Sequence, residues 1–163
     1  MSEHKKIFLD TSFFIRLTNK ADEHHANARA YFQRFSKENA VLLTSTIVVA
    51  EYGIGAPIQT LPFRSLQLLP FNYDHAKLAA QFAKSAYEAR RKGAVSVSSR
   101  VVIPNDTKLF AQAAAEQATL FIGRDDNCQS VCNFLNEKGL APFSYLDLRT
   151  APSEYFGELF DEL

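Results

Sequence analysis

Four acidic residues stand where a folded chain rarely puts them without a reason. Asp10 closes the apolar run Ile7-Phe8-Leu9, and Glu51 interrupts the otherwise apolar stretch 47–55, IVVAEYGIG. Asp106 follows VVIPN, and Asp125 follows TLFIG across Arg124, with Asp126 next. Burying a carboxylate is costly unless a cation, hydrogen bonds or a metal compensates. Singly, Asp10, Asp106 and Asp125 could be no more than helix caps, because aspartate there accepts orphan amide hydrogens and suits the helix dipole. Glu51 lies mid-helix, where no cap is needed; its simplest partner would be Arg16 or Arg124. Taken together, the four point to a common site.

Close carboxylates repel, so some must take up protons unless cations intervene. Mg²⁺ or Mn²⁺ suits all-oxygen ligation and pairs with substrate phosphates. One or two such ions can activate water for in-line displacement at phosphorus. That chemistry needs no protein nucleophile, and the chain has no G-x-S-x-G, Walker loop or H-E-x-x-H.

The elements that must position these acids alternate between apolar runs and amphipathic helical patterns. KIFL reads as a first strand and SFFIRLT as a short helix. DEHHANARAYFQRFSK, with Ala28, Tyr31, Phe32 and Phe35 on one stripe, reads as a second helix. AVLLTS is a strand, STIVVAEYGIG a helix, and HAKLAAQFAKSAYEARRKG the clearest helix, stopped by Gly93. DTKLFAQAAAEQ is a helix opened by Asp106, TLFIG a strand, NCQSVCNFLNEKG a helix and FSYLDL a last strand. The alternation predicts an α/β fold of three layers, α/β/α, with a mostly parallel central sheet. Such sheets bind ligands beyond the carboxyl ends of their strands, the edge where these acids would meet.

The ordered set FLDTS at 8–12, TSTIVVAEYGIG at 44–55 and IPNDTKLFAQAAAEQATLFIGRDDN at 103–127 resembles the PIN-domain family of metal-dependent ribonucleases, which includes the VapC-type toxins. The likeness covers nearly the whole chain. It implies a PIN-like fold and a metal-dependent endoribonuclease cleaving RNA through a metal-activated water. It also implies a toxin held by a cognate antitoxin, and a homodimer; an RNA-processing nuclease without an antitoxin and a non-catalytic PIN module are the alternatives. On this resemblance Asp10, Glu51, Asp106 and Asp125 hold Mg²⁺ or Mn²⁺, with Asp126 as a further candidate ligand and Ser12 steadying the site by a hydrogen bond. The chain departs from the family pattern at the last motif. Gly123 stands where threonine is usual and Cys128 where an aromatic is common, and the stretch AVSVSSRV enlarges the segment before Asp106. Two other phosphate-handling families fit less well. A haloacid-dehalogenase-type phosphatase needs an aspartate where Ser12 stands, and a receiver domain needs an acidic pair before the first strand's aspartate and a lysine near SYLDLRT.

Composition adds bounds. A chain of 163 residues with 18 basic and 18 acidic side chains has no global field to recruit nucleic acid. RNA binding would then need a local patch, for which Arg90, Arg91, Lys92 and Arg100 are the candidates, with a solvated helix face the competing reading. No stretch reaches the ~20 apolar residues of a membrane span, and no signal core follows the N-terminal lysines, which predicts a cytoplasmic protein without membrane contact. Cys128 and Cys132 read as buried free thiols, and His24 and His25 as surface residues. Residues 1–150 are expected to form one nuclease domain. Residues 151–163 form an acidic tail whose Phe156, Leu159, Phe160 and Leu163 pack on the domain or on a partner.

Overall fold

A computed structural model describes residues 4–97 and 102–157. Its centre is β1 (Lys6–Leu9), whose Ile7, Phe8 and Leu9 are buried. A strand that is apolar on both faces must be covered on both, and this one is. β1 pairs with β2 (Val41–Ser45) on one side and β4 (Leu120–Gly123) on the other. β3 (Gln67–Leu69) and β5 (Ser144–Asp147) form the edges, giving the order β3-β2-β1-β4-β5. All four pairings are parallel. The expected α/β architecture is therefore present, with a sheet that is wholly parallel.

The first helical layer comprises α1 (Thr11–Thr18), α2 (His25–Lys37) and α3 (Thr46–Gly55); the second comprises α4 (Tyr73–Arg91), α5 (Val102–Ala115) and α6 (Asp126–Glu137). Phenylalanines fill the space between. Phe121 of β4 stacks on Phe8 at 5.1 Å and meets Phe110 of α5 edge-on at 4.9 Å. A short α7 (Pro152–Phe156) lays Tyr155 and Phe156 on Tyr31 and Phe35 of α2, so this part of the tail packs on the domain. Leu159, Phe160 and Leu163, like Arg100, lie outside the described residues.

Three differences from the sequence reading matter. The edge strand β3 and two short 3-10 turns before it fall where the sequence reading assigns no element. α5 begins at Val102 rather than at Asp106. Pro104 sits in the first turn of α5, where proline is tolerated because its missing N–H has no intrahelical partner to lose. Asp106 is therefore one turn inside the helix and is not its cap. His24 and His25 are half-buried rather than fully on the surface, with His25 Nδ1 2.9 Å from the Arg16 carbonyl. Among the described residues no helix is long and apolar enough to cross a membrane.

Candidate active site

Parallel strands bring their carboxyl ends to one edge, and β1 lies where the chain's connections diverge in opposite directions. That is the crevice in which such sheets bind ligands. Asp10 is the first residue beyond β1, its N–H still bonded to the Ile122 carbonyl at 3.1 Å. The buried Thr44 hydroxyl donates to the Leu9 carbonyl at 3.0 Å, locking the neighbouring strand end. Asp10 caps α1, accepting from the Thr11 amide at 2.7 Å and from Ser12 Oγ at 2.8 Å. The expected Ser12 bond is thus present, and Ser12 Oγ in turn accepts from the Arg124 amide at 2.8 Å. Ser12 ties the first acid to the loop that carries the last.

Glu51 reaches this cluster from the second turn of α3, where Thr11 Oγ1 donates to its carboxylate. Neither Arg16 nor Arg124 forms an ion pair with it among the described residues. Arg16 lies 3.9 Å from Asp22, and Arg124 lies 3.7 Å from Asp126. Asp125 caps α6 by accepting from the Cys128 amide at 2.8 Å. Capping does not take Asp10 or Asp125 out of the acidic cluster, since the charges of both act on Asp106.

The electrostatics tie the four acids together. Burial pushes the Asp106 carboxyl up to about 8, with the charges of Asp10, Asp125 and Glu51 adding to the effect. Asp10 is pushed up to about 6, chiefly by burial; its bonds from Ser12 and Thr11 oppose the rise, and Glu51 and Asp125 reinforce it. Asp106 Oδ2 is buried and has no hydrogen-bond partner. An acid made costly by its neighbours, with an unused oxygen, is the donor type a hard divalent cation takes. The donor set therefore fits Mg²⁺ or Mn²⁺ in chemistry and charge. Among the described residues, no three acidic, histidine or cysteine side chains are gathered into a cation cage. The acids share a field without closing on a single point.

Asp126 stands apart. Its carboxylate is 2.6 Å from Arg149 Nη2 and 3.7 Å from Arg124 Nη1, and Arg149 is also bound by the buried Asp147 through a 2.9 Å bond from Nε. An aspartate paired with two guanidinium groups is already compensated. Of the two adjacent aspartates, Asp125 is the one whose charge reaches Asp10 and Asp106.

Arg90, Arg91 and Lys92 are not brought to these acids. Lys92 lines a hollow with Phe134, Lys138 and Leu140, at the far end of α6 from Asp125. The length of α6 puts about 18 Å between the two ends. Arg90 and Arg91 border an adjoining hollow along α4 with Lys84 and Tyr87. Helices after a strand's carboxyl end run back toward the opposite edge, and this carries the C-terminal cations of α4 away from the site.

Sequence reasoning missed Thr11, Tyr145 and Arg149. Tyr145 accepts from the Asp125 amide at 3.1 Å. The signal was present in SYLDLRT, whose strand must end on the same edge as Asp10 and Asp125. Cys128 and Cys132 are buried free thiols as expected. Burial, then Asp106 and Asp10, raises the Cys128 thiol, which keeps it protonated and unreactive.

Comparison with known proteins agrees with this fold. The family model for the PIN domain matches residues 7–133, so the chain belongs to the PIN-domain family. Among solved structures, VapBC2 from Rickettsia felis bound to a promoter DNA fragment is similar at 19% identity, covering 87% of this chain and 99% of that one, with a TM-score of 0.54. VapC20 of Mycobacterium tuberculosis, a sarcin-ricin loop cleaving toxin, is similar at 20% identity over 75% of this chain and 92% of its own, with a TM-score of 0.52. A tyrosyl-tRNA synthetase from Aeropyrum pernix reaches a TM-score of 0.57 at 8% identity, covering 89% of this chain and 52% of that one. Likeness at this level is one of fold. No curated protein sequence matches the chain.

Proposed function

We propose that this chain is a metal-dependent endoribonuclease, the toxin of a toxin–antitoxin pair. One observation carries the reading: an acidic pocket without counter-charge. Asp106 keeps a buried, unbonded oxygen in the field of Asp10, Asp125 and Glu51, while Arg16, Arg124 and Arg149 pair with other acids. PIN membership supports the nuclease class, and the VapC structures favour the toxin role.

Asp10, Glu51, Asp106 and Asp125 would hold Mg²⁺ or Mn²⁺, with Asp126 left to Arg149. When bound, such an ion neutralises charge at the scissile phosphate and activates water for in-line attack. The chain's own residues prepare that chemistry. Ser12 and the Thr11 amide fix the Asp10 carboxylate, and the Thr11 hydroxyl aims Glu51. Asp106, pushed up to about 8 by burial and its acidic neighbours, would exchange its proton for such a cation. By analogy with the family, water would displace the 3′-oxygen, breaking the P–O3′ bond and leaving a 5′-phosphate and a 3′-hydroxyl. An RNA substrate, a homodimer, an antitoxin partner and a cytoplasmic setting complete the proposal.

The test is cleavage of a mixed RNA substrate with Mn²⁺, with EDTA, and by Asp10→Asn. Cleavage is expected only for the wild type with metal, and expression of the wild type but not of Asp10→Asn should arrest growth. Cleavage that survives EDTA, or that Asp10→Asn retains, would contradict the proposal.

A further inference from the structure

Gly123 is the last residue of β4, and three polar atoms converge on its bare face. A β-carbon there would lie 2.7 Å from Tyr145 Oη, 3.0 Å from Ser12 Oγ and 3.1 Å from Asp10 Oδ2. The first distance is shorter than atoms tolerate, and the obstacle is the tip of a ring held in place. Tyr145 stacks on Phe121 with centroids 6.0 Å apart, and the strand register pairs the same two residues. The ring cannot swing aside without disturbing the core.

We propose that Tyr145 is a positioning residue of this site: its hydroxyl, delivered from β5, takes the space that a side chain at 123 would enter, and it sets Asp125 against Asp10. The bonding accords with that role. Tyr145 Oη accepts from the Asp125 amide at 3.1 Å and lies 3.4 Å from the Asp125 carbonyl. Ser12 Oγ holds the amide one residue earlier, at Arg124, and donates to Asp10. Two hydroxyls from two different elements thus grip successive amides of the loop that carries the last acid. Glycine at 123 and tyrosine at 145 are one arrangement, because the tyrosine needs the space the glycine leaves. A small hydroxyl residue at 123 and a large hydroxyl residue at 145 are alternative ways to supply one oxygen.

The inference rests on the nuclease reading only for its metal-binding consequence, and the experiment separates the two. Hydrogen exchange at the Asp125 amide, followed by NMR in metal-free protein, reads the positioning directly. Tyr145→Phe adds no atom and removes only the oxygen, so it should fold; exchange at Asp125 is expected to quicken about five- to tenfold, the loss of one hydrogen bond. In the same variant Mn²⁺ affinity, measured by calorimetry, should fall about tenfold, as it does when groups supporting a metal ligand are removed. Adding Gly123→Ser to Tyr145→Phe should restore both, whereas adding Gly123→Ala should restore neither. The serine and alanine doubles impose the same β-carbon, so a merely structural effect would treat them alike. Unchanged exchange in Tyr145→Phe, or equal behaviour of the two doubles, overturns the proposal. If the exchange pattern holds while wild type binds no Mn²⁺, Tyr145 keeps its positioning role and the metal-dependent nuclease reading fails.

Discussion

At the scale of single residues, the site is a set of acids held at a cost. A carboxyl in water ionises near 4, but Asp106 is pushed up to about 8 and Asp10 to about 6. The folded protein thus binds protons that the unfolded chain has released, and stability falls as pH rises from about 4 through 8. Thermal unfolding of metal-free protein is expected to give a higher Tm at pH 5.5 than at pH 8.5, and saturating Mn²⁺ should shrink the difference. A Tm that rises over this range would contradict the shifts. Asp106→Asn removes the costliest ionisation. At pH 8.5 it is expected to stabilise the metal-free protein by about 1 kcal/mol, or about 3 °C for a chain of this size, while abolishing Mn²⁺ binding. A variant that gains stability as it loses the ligand marks a group kept for function.

At the scale of elements, the sheet does the positioning. β1, β2 and β4 were legible because their apolar runs are bounded and their ends carry hydroxyls or acids, and Asp10, Glu51 and Asp125 fell on the expected elements. β3 escaped because three residues of an edge strand have no period to read. The start of α5 escaped because Pro104 resembles a boundary whether it opens a helix or breaks one. The roles of Thr11, Tyr145 and Arg149 were harder to read, because Thr11 bonds Glu51, Tyr145 the Asp125 amide and Arg149 Asp126, each across elements that local spacing does not join. The Asp10 pedestal depends on the aromatic stack behind it. Phe121→Ala, which strips contacts to Phe8, Phe110, Phe143 and Tyr145, is expected to cost about 3–5 kcal/mol in denaturant unfolding. A loss below about 1 kcal/mol would mean the stack does not hold the strand ends.

At the scale of the whole molecule, charge is sorted rather than absent. The net charge is zero, yet the uncompensated acids gather on one edge of the sheet and the α4 cations lie toward the other. Sequence spacing alone could not separate the two ends, because it does not say which way a helix runs back along the sheet. Charges some 18 Å apart are largely screened at physiological salt. Arg90→Glu with Arg91→Glu is therefore expected to leave Mn²⁺ affinity within about twofold of wild type. The most direct test of the account is calorimetric titration of wild-type protein with Mn²⁺ at pH 7, repeated in buffers of different ionisation enthalpy. The account expects saturable binding whose heat depends on the buffer, because Asp106 releases its proton, and expects that binding to vanish in Asp106→Asn and Asp10→Asn. Absence of binding by the wild type, or equal binding by all three proteins, would contradict it.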